Sequence, residues 1–432
     1  MIISTLLNRL FKRHNSESDV SSKTTTLTTS RCDKSMILLD LLEVAFQQYR
    51  DERHLHGRWD RLNSFFYNKD ECLTLLYHIL DLGHDHYSEI LPDNLYRCQH
   101  TFVTFLLGWA IAKRYGLLDG INVINTLPDE YLWILTSLVH DYGYIKAGIA
   151  HEISLEELDS KYRLLSDACM FKQLDSTKGY SSTYPQFMTY SYDTISNYYI
   201  FRHQALKLYP PSKDYEANDH GIYGACKCYE EYCDFYIKEE YPRYCITPSD
   251  NADNIKRMGY DLYRSTNRPE IVQLARTEPL LYKTACLISA QHNMFRSSNS
   301  TSDLVYEKFG LKPLLSTEPI AIDKNSPLLF LLSLVDTIEC TKRFEKIPLK
   351  ESGYTTGIPI QSVLKSVRIQ LDDDGIIIDY SSLHQEINNC DSSIRDTSQI
   401  ELNKQISNVI GLKDWVKCET RQVGPYIVKV LF

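Results

Sequence analysis

The chain has 432 residues, 43% hydrophobic and 24% charged, which fits a globular protein and excludes wholesale disorder. A net charge of −9 disfavours non-specific nucleic-acid binding, and no window reaches the roughly 18 apolar residues of a membrane span. The 12 cysteines include no CxxC pair and read as reduced thiols of a soluble, cytoplasmic protein; the opening MIISTLLNRLFKRHNS lacks a signal-peptide cleavage pattern.

Residues 2–12 read as a short helix and 15–30, rich in Ser and Thr, as a flexible linker. From Lys34 to about Tyr49 the apolar positions Met36, Leu39, Leu42, Phe46 and Tyr49 recur at helical spacing, and residues 70–82 continue the helical character up to Gly83. The segment YRCQHTFVTFLLGWAIAKRY, 96–115, predicts a strongly apolar helix with Gly116 as its C-terminal cap. A further helix opens at Leu127-Pro128-Asp129-Glu130 and runs into His140-Asp141, with Gly143 ending it. Helices are expected over 151–170, within 213–236 after a loop, and over 278–292. Ser326 and Pro327 form an N-cap and N1 pair for PLLFLLSLVDTIECTKRF.

After residue 350 the pattern changes. SVRIQLDDDGIIIDYS alternates around an acidic-Gly turn and predicts a β-hairpin. A helix over 396–411 and two strands around Gly424-Pro425 follow. The expected organisation is mainly α. It comprises a helical lead-in over 1–70, a helical-bundle domain over 71–349 and a small α+β domain over 350–432.

Chemistry concentrates where polar, ligand-capable residues interrupt apolar helices. His140-Asp141 ends an apolar helix, and an ionised Asp is costly to bury there unless it is paired or holds a metal. Asp336 follows the apolar run LLFLLSLV, His292 ends ACLISAQ, and His100 precedes an apolar stretch. Each alone is compatible with an ordinary core residue satisfied by a backbone partner; together they point to a metal site. His84-Asp85-His86 has ligand chemistry but lies in a polar stretch and reads as a solvated turn. His54 and His56 have no supporting context. Glu339, three residues after Asp336 and on nearly the same helical face, either orients a ligand or water or pairs with Lys342 or Arg343.

The order His100, His140-Asp141, Asp336 resembles the HD-domain superfamily of metal-dependent phosphohydrolases over roughly residues 75–345. RCQH at 97–100 resembles the start of that domain, and LVHDYGY at 138–144 its doublet with the following Gly. His220, in NDHGIYGA, and His292 match the additional histidines of the dinuclear branch. The resemblance implies an HD-type bundle with His100, His140, Asp141 and Asp336 on one divalent ion. Asp141 would bridge to a second ion held by His220 and His292. Iron or manganese suits such mixed ligands, and magnesium or nickel is compatible. A water between the ions would attack phosphorus, with Asp141 central to the chemistry and Arg97, Lys146 and Lys342 receiving phosphate oxygens.

Position 144 is Tyr where many members carry Lys, and Lys146 follows two residues on. Arg97 has an alternative as a surface ion-pair partner, and without His220 and His292 the site would be mononuclear. The implied substrate is a small phosphate ester or diester, a nucleotide foremost, with a homo-oligomer compatible. The competing reading is a degenerate HD domain that binds a nucleotide as sensor or scaffold without hydrolysis. The C-terminal domain would serve dimerisation, sensing or lid closure, or simply cover one end of the bundle.

Overall fold

The computed structural model describes residues 35–52, 95–118, 133, 134, 136, 137, 140, 141, 285, 288, 289, 291, 292, 319, 320, 327–344, 346–349 and 353–432. The chain divides into two compact units. One comprises Met1–Asp119, Glu318–Ile322 and Phe330–Phe432; the other comprises Gly120–Thr317 and Asp323–Leu329. The described residues are mostly helical, with a small C-terminal sheet. The expected helices over 2–12, 70–82, 151–170 and 213–236 fall outside the described residues.

In the first unit the apolar pattern dictates helix α1, Leu38–Glu52, and helix α2, Leu95–Tyr115. Every residue of α2 from Gln99 to Ala112 is buried. A helix apolar on all sides can only be a core helix. It packs on α1 through aromatic edges: Tyr49 meets Phe105 and Trp109 at 5.2 and 5.1 Å between ring centroids, and Phe46 meets Phe102 at 6.2 Å. Such T-shaped pairs add to the area they bury. The helix stops where the sequence predicts. Gly116 takes φ 62°, and the Leu117 N–H bonds the Ala112 carbonyl at 3.0 Å, a Schellman closure that a side chain at Gly116 would oppose.

The helix expected from Lys34 begins later. Met36–Ile37 forms a short strand, β1, and pairs antiparallel with Ile369 and Arg368, while the Leu38 N–H bonds the Val367 carbonyl at 2.8 Å. An apolar pair at a helix start carries no period long enough to separate helix from strand, so pairing with a distant segment decides it.

Helix α3, Pro327–Ile338, is followed by a break at Glu339–Cys340 and a single turn, α4, Thr341–Phe344. The sequence predicts one continuous helix here. The Glu339 side chain accepts the Thr341 backbone N–H at 2.7 Å as well as the Thr341 hydroxyl, so a side-chain acceptor supplants the next main-chain partner. The hairpin of β2, Lys346–Leu349, and β3, Gly353–Thr356, and the helix α5, Ile360–Ser366, have no counterpart in the sequence reading.

The expected hairpin is present as β4, Arg368–Asp372, and β5, Gly375–Asp379. Helix α6, Ser381–Asn388, comes next, then α7, Ser392–Gly411, which starts four residues before the predicted 396. Strands β6, Glu419–Gly424, and β7, Ile427–Leu431, flank Pro425 as predicted. The sheet is antiparallel in the order β1-β4-β5-β7-β6. Ile369, Leu371, Ile376, Ile378, Val428 and Val430 are buried at alternating positions, one side of a pleat. At Gly375 any Cβ would run into the Val430 carbonyl of the neighbouring strand, so the strand needs glycine there.

Hydrogen bonds tie this C-terminal segment to the helices of the same unit. The Tyr115 hydroxyl lies 2.8 and 2.6 Å from the Asp372 and Gly375 carbonyls, tying the end of α2 to the β4–β5 turn. Buried Gln405, on α7, donates to the Thr337 carbonyl at 2.9 Å and to the Tyr380 hydroxyl at 3.3 Å, while its own oxygen accepts from Arg343 at 2.7 Å. The α+β segment thereby holds the last turn of α3, just beyond Asp336.

Candidate metal centre

In the first unit α2 carries His100 and α3 carries Asp336, with Glu339 in the break that follows. His100 is fully buried. Its Nδ1 bonds a carboxylate oxygen of Glu339, itself fully buried, and its Nε2 lies 3.2 Å from Asp336 Oδ1. Lys342 places its ammonium 2.6 Å from the same Asp336 oxygen and 3.4 Å from His100 Nε2. Burial alone would raise the Glu339 carboxyl. The charge and hydrogen bond of His100, with Lys342 and Thr341, outweigh it and hold the group below its ordinary range. The neighbouring Cys340 thiol is pushed well up, first by burial and then by the Glu339 charge.

In the second unit Ser137 and Ser289 are helical, and His140 and His292 each stand three residues on, in the turn that ends the helical stretch. His140 Nδ1 lies 2.6 Å from the Ser137 carbonyl, and His292 Nδ1 lies 2.5 Å from the Ser289 carbonyl. The cause is local. The last carbonyls of a helix have no N–H four residues ahead, and a histidine in the following turn can donate to one of them. A carbonyl only accepts, so Nδ1 carries the proton and the lone pair resides on Nε2. The signal is visible in the sequence as Ser-x-x-His at 137–140 and 289–292, and the sequence reading missed it. The two imidazoles meet edge to face at 5.3 Å between centroids, and His140 Nε2 is 3.6 Å from Asp141 Oδ1.

His100, His140 and Asp141 each offer a ligand atom within 4.8 Å of one another, and all three are buried. Two imidazoles and one carboxylate suit a divalent transition ion. The fit extends to the outer shell, since a metal-bound histidine needs its second nitrogen donating to an acceptor. Ser137 and Ser289 carbonyls and the Glu339 carboxylate meet that need for His140, His292 and His100. Among the described residues one compact donor group is present, His100 with His140 and Asp141. Asp336 is anchored by Lys342 beside His100, and His292 packs against His140. His220, Lys146 and the Arg97 side chain lie outside the described residues. Glu339, which the sequence offered with several partners, bonds His100.

Among the described residues no helix is long and apolar enough to cross a membrane. No family model matches the chain, and neither a curated protein nor a solved structure matches it significantly.

Proposed function

We propose that this chain is a metal-dependent phosphohydrolase of HD type, acting on a nucleotide or another small phosphate ester or diester. The observation that carries the metal reading is the buried group His100, His140 and Asp141, whose histidines have Nδ1 committed to acceptors. The phosphate reading rests on the chain order of these residues with Asp336, which resembles that superfamily. A divalent ion held there would supply Lewis acidity, lowering the pKa of a water and drawing charge from phosphoryl oxygens. The chain's own part is to hold the ligand nitrogens in one tautomer and to keep the carboxylates of Asp141 and Asp336 in place. Lys342, and Arg97 and Lys146, would receive phosphate oxygens. Iron or manganese is the preferred ion, and His220 with His292 would complete a second site beside Asp141.

The decisive experiment measures metal content and turnover together. Purified protein should carry or bind manganese or iron, and should hydrolyse members of a panel of phosphomonoesters and diesters. The His140→Ala, Asp141→Ala double variant should fold but lose both properties. Metal content near zero in the folded wild-type protein, or metal and turnover both retained in that variant, would sink the proposal. A non-hydrolysing nucleotide sensor is the second reading. The Lys342 ammonium on Asp336 favours it, because a cation already neutralises the last acidic residue of the set. Bound metal without turnover across the panel would select it.

A further inference from the structure

We propose that Glu339 is a positioning residue that fixes the proton of His100 on Nδ1 and so presents Nε2 as a metal ligand; this rests on the metal reading above. His140 and His292 obtain their orientation locally, from the carbonyl three residues back at a helix end. His100 differs: it stands inside α2, and the acceptor that its Nδ1 meets lies 239 residues further along the chain.

Glu339 is equipped for that role. It is fully buried, and each of its oxygens has a distinct task. Oε2 meets His100 Nδ1, while Oε1 takes both the backbone N–H and the hydroxyl of Thr341. The Thr341 N–H is solely a donor, so that side of the group must remain an acceptor. The carboxylate is an acceptor on its other side too, which places a proton on Nδ1. Nε2 lies 3.2 Å from Asp336 Oδ1, but that oxygen already takes the Lys342 ammonium, a pure donor that also stands 3.4 Å from Nε2 and favours the lone pair there. The break between α3 and α4 serves this geometry by turning the Glu339 side chain toward α2 while Asp336 stays on the helix.

Glu339→Gln tests this assignment. Its single oxygen must face the two donors of Thr341, leaving its NH2 group against His100 Nδ1. The imidazole would then carry its proton on Nε2, where it blocks coordination. In metal-free full-length protein with 15N-labelled histidine, at a pH where the His100 ring carries a single proton, long-range proton–nitrogen correlation should show that proton on Nδ1. The His100 signals are identified by their absence in His100→Ala. Glu339→Gln should move that proton to Nε2, and Glu339→Asp, which keeps the charge, should leave it on Nδ1. Manganese titration should show Glu339→Gln binding about 10- to 100-fold more weakly. It should cause no further loss in a His100→Ala background.

A neutral wild-type His100 ring whose single proton sits on Nε2 overturns the proposal, whether or not any variant folds. Manganese affinity unchanged in folded Glu339→Gln overturns it, as does an equal loss in both backgrounds. If wild type binds no divalent ion, the metal reading fails by itself. The spectra then show whether Glu339 sets the His100 tautomer, and an unmoved proton in Glu339→Gln overturns that as well.

Discussion

Replacing Lys342 with Met tests what Asp336 is for. The Lys342 ammonium sits 2.6 Å from Asp336 Oδ1, and the two side chains are 21% and 13% exposed. Two unit charges at about 4 Å attract by about 4 kcal/mol at an effective dielectric of about 20, before desolvation and side-chain ordering are subtracted. Fully exposed pairs retain about 0–1 kcal/mol after those losses, so this mostly buried pair should retain about 1–2 kcal/mol. A divalent ion that takes Asp336 as a ligand must displace the ammonium and overcome that amount. Lys342→Met should therefore tighten manganese binding about 5- to 30-fold, read by calorimetric titration. If Lys342 also receives phosphate oxygens, inorganic phosphate or substrate should bind the manganese-loaded variant more weakly. Manganese affinity that stays the same or falls would show that Asp336 is not a ligand, and that the ion pair is structural.

Gln405→Leu should destabilise the chain by about 1–3 kcal/mol in denaturant unfolding, because it strands the Thr337 carbonyl and the Arg343 donor. A smaller weakening of metal affinity should accompany it, since the anchored turn lies next to Asp336. The Glu339 carboxyl is held below its ordinary value of 4.5, so its ionised form stabilises the fold fully above about that pH and the contribution fades as pH falls through the lower folded-state value. The stability gap between wild type and Glu339→Gln should shrink as pH falls below 4.5; parallel curves down to acid unfolding would refute the assignment.

Much of the described fold was legible because it rests on short-range rules. The 96–115 helix announces itself by an unbroken apolar surface and a glycine placed to close it, and Gly116 does so. The hairpin of β4 and β5 was readable from alternation around an acidic-Gly turn. Elements whose identity depends on a distant partner were not. Met36–Ile37 is strand because β4 lies beside it, and the end of α3 breaks at Glu339 because a side chain competes for the Thr341 N–H. Neither carries a periodic signal.

The site divides along the same line. The sequence by itself determined the candidate ligand types, their placement at the ends or in the interior of apolar helices, and a Ser-x-x-His spacing at His140 and His292 whose meaning became readable only with the helix ends in place. These are properties of a residue and its neighbours within a helical turn. Only the tertiary structure decided that His100 takes its proton acceptor from Glu339 and that Lys342 rests on Asp336. Each joins groups more than 200 residues apart or turns on a helix break, and hydrogen bonds of that kind depend on where the chain places both partners.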